Sequence, residues 1–167
     1  PFLRMKDKGI IVLCSTSNLG AGEFQDLRVR ISREEFRDIE TRLGREIPEG
    51  DVPLYLHVAY NVATQWNEND NCSLVVGATN PNELGDVRKV VGDMPILIPG
   101  VGFQQKNVSL AEQVRQVVVN GQDSRGKGMI VNLSRSVIYA SRGEDFAEAA
   151  RREVEKVHHL INQYRSA

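Results

Sequence analysis

The chain has no apolar run near the roughly 18 residues that a membrane-spanning helix needs, and no signal peptide is visible at its start. It has no excess of either charge. The net charge is −1, so the basic footprint that nucleic acid or an anionic membrane would attract is missing, and neither is expected as a partner. Cysteine is scarce: only Cys14 and Cys72 occur. Without a framework of paired cysteines, a reducing cytoplasm is the expected setting. Both cysteines lie in or beside apolar runs and read as small core fillers. Neither has a His or acidic neighbour at ligand spacing, so no metal site is expected. There is no low-complexity segment and no repeat. There is also no initiator methionine before Pro1-Phe2-Leu3, which leads us to expect a fragment or a processed product.

What is present suits one domain. The 167 residues are 41% hydrophobic, enough for a sizeable core. Four short runs, "GIIVLC" (9–14), "SLVVGA" (73–78), "PILIPG" (95–100) and "GMIVNL" (128–133), are continuous and rich in Val and Ile. Strands buried on both faces of a parallel sheet read this way. Helical periods lie between and after them. Residues 52–66 place Leu54, Val58 and Val62 at four-residue steps. Residues 80–92 begin with Pro81 and align Leu84, Val87 and Val91. Residues 107–121 align Leu110, Val114 and Val118, with Asn120-Gly121 read as the carboxyl-terminal cap. Residues 143–165 predict the longest helix, with Phe146, Ala150, Val154, Val157 and Ile161 inward. Trp66 reads as a packing anchor and His57 as a helix-flank residue. His158 and His159 have no ligand partner one turn away.

Strands alternating with helices imply right-handed crossovers. A (β/α)₈ barrel takes about 250 residues, so four βα units in this length look like half of one. One unit is enlarged by residues 28–51. In that stretch Ser32 and Glu35 form a capping-box pattern, predicting a helix over about 33–43 that ends at Gly44. Its many charges read as a solvated surface insertion.

In such barrels the active site lies at the carboxyl ends of the strands, and phosphate is often held by the loops after the last two. Here those ends are "PILIPGVGFQQKN" (95–107) and "MIVNLSRSVIYAS" (129–141). Glycine permits backbone N–H groups to approach an anion, and Arg135 offers a fork of donors that suits phosphate oxygens. One reading is a phosphate-bearing small ligand held by Gln104, Arg135 and nearby amides. The other is a surface arginine beside a tight turn. Spacing alone leaves both open. Glu23 and Asp26 read as solvated loop residues.

"LVVGATNPNEL", "ILIPGVGFQ" and "GMIVNLSRSVIYAS…DFAEAAR" resemble the carboxyl-terminal half of the orotidine 5′-phosphate decarboxylase family in its longer bacterial form. "LCSTSNLGAGEFQDL" (13–27) is similar to that family's loop after the fifth strand. The resemblance spans nearly the whole chain apart from residues 28–51. It implies an α/β fold of the (β/α)₈ TIM-barrel type, with only the last four βα units present. It implies decarboxylation of orotidine monophosphate to uridine monophosphate, with no metal and no organic cofactor, in an enzyme expected to be a homodimer when complete. By the same resemblance Ser17 meets the pyrimidine, Gln104 meets the phosphate, and Arg135 binds the phosphate beside the N–H of Ser134.

Three departures stand out. Leu19 replaces the family's usual proline, predicting a looser loop. Gln105-Lys106-Asn107 replaces Gly-Gly-Asp, and Lys106 is either an added phosphate contact or a solvated lysine. The family's Asp-x-Lys-x-x-Asp catalytic cluster is missing from this sequence, so no catalytic residue is assigned. Two other readings remain: a non-catalytic phosphate-binding half-barrel, and another phosphate-binding barrel enzyme of the same superfamily. The Thr-Ser-Asn and Asn-x-Ser-Arg stretches favour the decarboxylase over the latter.

Overall fold

A computed structural model describes residues 2–102, 105 and 107–166. The candidates Gln104 and Lys106 lie outside the described residues. The strands are β1 (Ile10–Ser15), β2 (Arg28–Val29), β3 (Val52–Pro53), β4 (Cys72–Val76), β5 (Ile96–Pro99) and β6 (Met129–Asn132). The α-helices are α1 (Gly22–Gln25), α2 (Arg33–Leu43), α3 (Leu54–Asn61), α4 (Pro81–Val91), α5 (Leu110–Gly121), α6 (Arg135–Ile138) and α7 (Phe146–Tyr164). Strands β1, β4, β5 and β6 lie in that order in one sheet, every pair parallel, while β2 and β3 form a small antiparallel pair. The continuous apolar runs thus become parallel strands, but burial on both faces is corrected, since Ile11, Leu13 and Ile130 are exposed.

Only one face of the sheet is covered. Leu74, Val76, Ile96 and Ile98 are fully buried there. They share a core with Leu56 and Ala59 of α3, Leu84, Val87 and Val90 of α4, and Val114, Val117 and Val118 of α5. Each large apolar side chain so buried contributes about 1.5–3 kcal/mol. On the other face the register aligns Leu13 with Val75, Val75 with Leu97, and Leu97 with Ile130. That apolar row crosses all four strands, yet Leu13 and Ile130 are 60% and 50% exposed. A four-stranded parallel sheet with helices on one face and an apolar row on the other is half of a barrel.

Arg88 ties the amino-terminal end of the sheet together. Its buried guanidinium donates to the carbonyls of Gly92 and Met94, each at 2.6 Å, of Gly121 at 2.8 Å, and of Gly128 at 2.9 Å. One side chain therefore satisfies carbonyls at the ends of α4 and α5 and at the entries to β5 and β6. Burial lowers its pKa, with Asp123 and Asp93 opposing that shift.

Four local expectations are corrected. Residues 28–51 are charged but not simply solvated. Ser32 and Glu35 do form the capping box, and Gly44 closes α2 in the left-handed region. The inner face of α2, however, buries Ile39 and Leu43 in the core, followed by Ile47 and Val52. Arg42 donates to the Val90 carbonyl at 2.8 Å and lies over the Tyr60 ring. Composition reported only the outer face of this amphipathic helix.

In α7, Phe146 and Val154 are exposed, and Ala149 and Val157 are the buried residues. The helix packs on α5 and α6 rather than on the sheet, so its covered stripe is narrow and turned from the one predicted. Gly121 is the last residue of α5, not a left-handed cap. It is a point of close approach, where a Cβ would stand 3.0 Å from Ile98 Cδ1 and 3.2 Å from Leu84 Cδ2. Trp66 ends a π-helical turn (Val62–Trp66) and is 39% exposed, so it anchors little.

Among the described residues, no helix is long and apolar enough to cross a membrane. The bare apolar row and the open edges of β1 and β6 predict self-association of the isolated 167-residue chain. Light scattering should find species larger than a monomer, with bound hydrophobic dye. A monodisperse monomer that binds no dye would contradict this.

Candidate functional site at the carboxyl ends of the strands

Because the four strands run parallel, all their carboxyl ends meet at one edge of the sheet. Thr16-Ser17 follow β1, Gly77 to Thr79 follow β4, Gly100 to Gly102 follow β5, and Leu133 to Arg135 follow β6. The described candidates therefore share an edge, although they line separate hollows. Ser134 and Arg135 line a cavity of about 160 Å³ with Pro99, Gly100, Val101 and Asn132. The half-buried Ser17 lines a broader one of about 780 Å³ with Asn18, Thr79, Asn80 and Gln105. Arg135 opens the short helix α6, and Ser134 Oγ lies 3.4 Å from Asn132 Oδ1.

The Ser17 loop is tethered from behind and not at its tip. Leu19 is fully exposed at its tip and fixes nothing. The hold comes from behind, where the Thr16 amide donates to Gln25 Oε1 at 2.8 Å. The buried Ser15 hydroxyl donates to Glu83 Oε2 at 2.7 Å, fastening the end of β1 to the first turn of α4. Gly77 N–H donates to the Ser15 carbonyl at 2.8 Å. A Cβ on Gly77 would sit 2.6 Å from Ser17 N and 2.8 Å from Ser17 Cα. The chain packs backbone against backbone here, and only glycine leaves room.

The remaining polar groups nearby are structural. Burial, followed by the negative charge of Glu83, pushes the Cys14 thiol up to about 12, and its Sγ donates to the Tyr55 carbonyl at 3.2 Å. A thiol so raised stays protonated and inert. Cys72 is buried too, and burial raises its pKa. His57 is half-buried, with Nε2 3.0 Å from Asn61 Nδ2. His158 and His159 are exposed, and each meets an amide one turn on, Asn162 and Gln163. Glu23 and Asp26 are exposed. Among the described residues, no three His, Cys, Asp or Glu side chains converge as a metal site would require.

Sequence reasoning missed Gln25, Gly77, Glu83 and Gln113 and noted Gln105 only as a departure from the family pattern, and all of them shape this edge. One signal was available. Gln113 is a polar residue on the otherwise apolar inner face of α5, where a buried amide must have partners.

Gly77→Ala should destabilise the fold by about 1–3 kcal/mol, the usual range for overpacking, because the obstructing atoms are backbone. Thermal unfolding beside the parent protein should show a Tm lower by several degrees. An unchanged Tm would remove the close-packing argument.

No protein-family model matches the chain. It is 43% identical over 164 residues to the orotidine 5′-phosphate decarboxylase of Janthinobacterium sp. (strain Marseille), a match covering 98% of this chain and 51% of that protein. Among solved structures it resembles OMP decarboxylase from Leishmania donovani, with a TM-score of 0.69, 31% identity, and coverage of 97% of this chain and 51% of that one. It also resembles UMP synthase from the same organism, with a TM-score of 0.70, 33% identity, and coverage of 96% and 29%. The chain spans about half the length of the curated relatives it matches. With its four parallel strands and nearly end-to-end match, the chain is similar over its whole length to about half of the orotidine 5′-phosphate decarboxylases it matches.

Proposed function

We propose that this chain is the substrate-gripping, carboxyl-terminal half of an orotidine 5′-phosphate decarboxylase, which converts orotidine monophosphate to uridine monophosphate. The observation that carries the reading is the placement of Ser17 and Arg135. They follow the first and last strands of the main sheet, at the same edge. Three interstrand gaps separate those strands, roughly 14 Å along the sheet at about 4.8 Å per gap. A ligand touching both must be elongated, with a polar ring at one end and an anion at the other. A pyrimidine nucleotide has that form. In this reading Ser17 meets the pyrimidine, while Arg135, the Ser134 N–H and Gln104 hold the phosphate. Lys106, on the same loop as Gln104, is a candidate for a further phosphate contact.

Decarboxylation at C6 of the pyrimidine leaves a carbanion-like centre that must be stabilised and protonated. In this chain Lys6 and Lys8 precede β1, Lys127 precedes β6, and Lys89 and Lys156 lie on α4 and α7. Among the described residues, no lysine stands at the carboxyl ends of the strands. The proton donor and its carboxylate neighbours then belong to the other half of the barrel, which would also cover the Leu13–Val75–Leu97–Ile130 row. The grip acts through remote binding energy, since the phosphate is far from the reacting carbon. The complete enzyme is proposed to be a homodimer in the cytoplasm, a setting supported by the two buried, unpaired cysteines.

Arg135→Ala in a complete barrel should lower kcat/KM for orotidine monophosphate about 10- to 160-fold. That range corresponds to the roughly 1.5–3 kcal/mol of a hydrogen bond to a charged group. The loss should shrink for orotidine, which has no phosphate. An equal loss with both substrates would mean that Arg135 acts through structure, and the phosphate assignment would fall.

A further inference from the structure

Among the described residues between β5 and α5 there is no strand or α-helix, so no backbone ladder holds them. A side chain does so instead. Gln113 is 3% exposed, and its amide faces the loop from one turn inside α5. Its Oε1 accepts from Gly102 N–H at 2.7 Å. Its Nε2 faces the carbonyls of Val108 at 2.8 Å, Gln105 at 3.0 Å and Gly102 at 3.4 Å. The side chain thus holds the backbone at Gly102, Gln105 and Val108. Gln105 is in turn tied to the neighbouring strand end, its Nε2 donating to the Ala78 carbonyl at 2.8 Å.

These contacts cluster on one of the two loops that the reading above assigns to the phosphate. Gly100 and Gly102 adopt φ of 101° and 99°, a region glycine enters freely and leaves as freely. A glycine-bearing loop without a ladder has many conformations, and ordering it on binding would cost affinity. A buried amide that fills four backbone hydrogen bonds removes that cost beforehand. The sequence change at this loop fits the same logic. Where the family usually has glycine, Gln105 supplies a side-chain tether.

We propose that Gln113, seconded by Gln105, is a positioning residue that holds Gly102, Gln105 and Val108 of the loop after β5 in place for a phosphate monoester. The proposal rests on the phosphate reading of this edge. Neither residue need touch the ligand. Their effect should appear as a preference for the phosphorylated form of a nucleoside, and not as a change in recognition of the base.

The test uses a complete barrel and titration calorimetry with uridine 5′-monophosphate and with uridine. The parent protein should prefer the monophosphate. Gln113→Met keeps the length of the side chain and removes its amide. It should reduce that preference about tenfold or more, leaving uridine affinity within about twofold. Gln105→Ala, which cuts only the tether to Ala78, should reduce the preference by a smaller factor.

A folded Gln113→Met protein that keeps the full preference would overturn the proposal, as would an equal loss for both ligands. Should Gln113→Met not fold, Gln105→Ala decides: an unchanged preference overturns the proposal, and a reduced one supports it. A parent protein that does not distinguish the monophosphate from uridine would overturn the phosphate reading itself.

Discussion

The parallel alignment of β1, β4, β5 and β6 is the constraint on which everything else in this protein depends. Parallel strands cannot be joined by tight turns, so each connection must cross over, and the helices of those crossovers cover one face of the sheet. The same alignment sends every carboxyl end to one edge. Loops distant in sequence, around Ser17, Gly77, Gly102 and Arg135, therefore gather there, and contacts such as that of Gln105 with the Ala78 carbonyl then fasten one to another. The opposite end is closed by Arg88, whose four carbonyl partners lock the helix ends to the strand entries. One end of the sheet is fastened, and the other presents loops shaped by buried amides.

Much of this was legible in the sequence because the signals were local or periodic. Continuous Val- and Ile-rich runs marked the four strands. The Ser32–Glu35 box and Gly44 placed both ends of α2, and Pro81 placed the start of α4. What escaped depended on partners that periodicity does not name. The exposure of Phe146 and Val154 is set by α7 packing mainly on α5 and α6. The burial of Ile39 and Leu43 was hidden by the charges around them. Gly121 looked like a cap because glycine suits caps, but Leu84 and Ile98 claim the space its side chain would need. At the edge, Ser134 and Arg135 were found through a motif. Gln113 and Glu83 were not, because each acts on backbone or side chains more than ten residues away or across a loop.

The sheet also explains a division of labour. An apolar row through Leu13, Val75, Leu97 and Ile130 is costly to leave in water, yet Leu13 and Ile130 at its ends stand exposed. The chain spans about half the length of its curated relatives. A second set of strands would bury the row, pair the edges of β1 and β6, and bring the missing acid-base groups to the edge where Ser17 and Arg135 stand. On this account grip and chemistry lie on different halves of one barrel.

Complementation tests that division directly. This chain is combined with a separate polypeptide corresponding to the half of a curated relative that it does not match, and turnover of orotidine monophosphate is followed. The account predicts no decarboxylation by either polypeptide alone and measurable turnover by the pair, with the pair eluting as one complex. Turnover by this chain alone would contradict it, as would a well-formed complex that remains inactive.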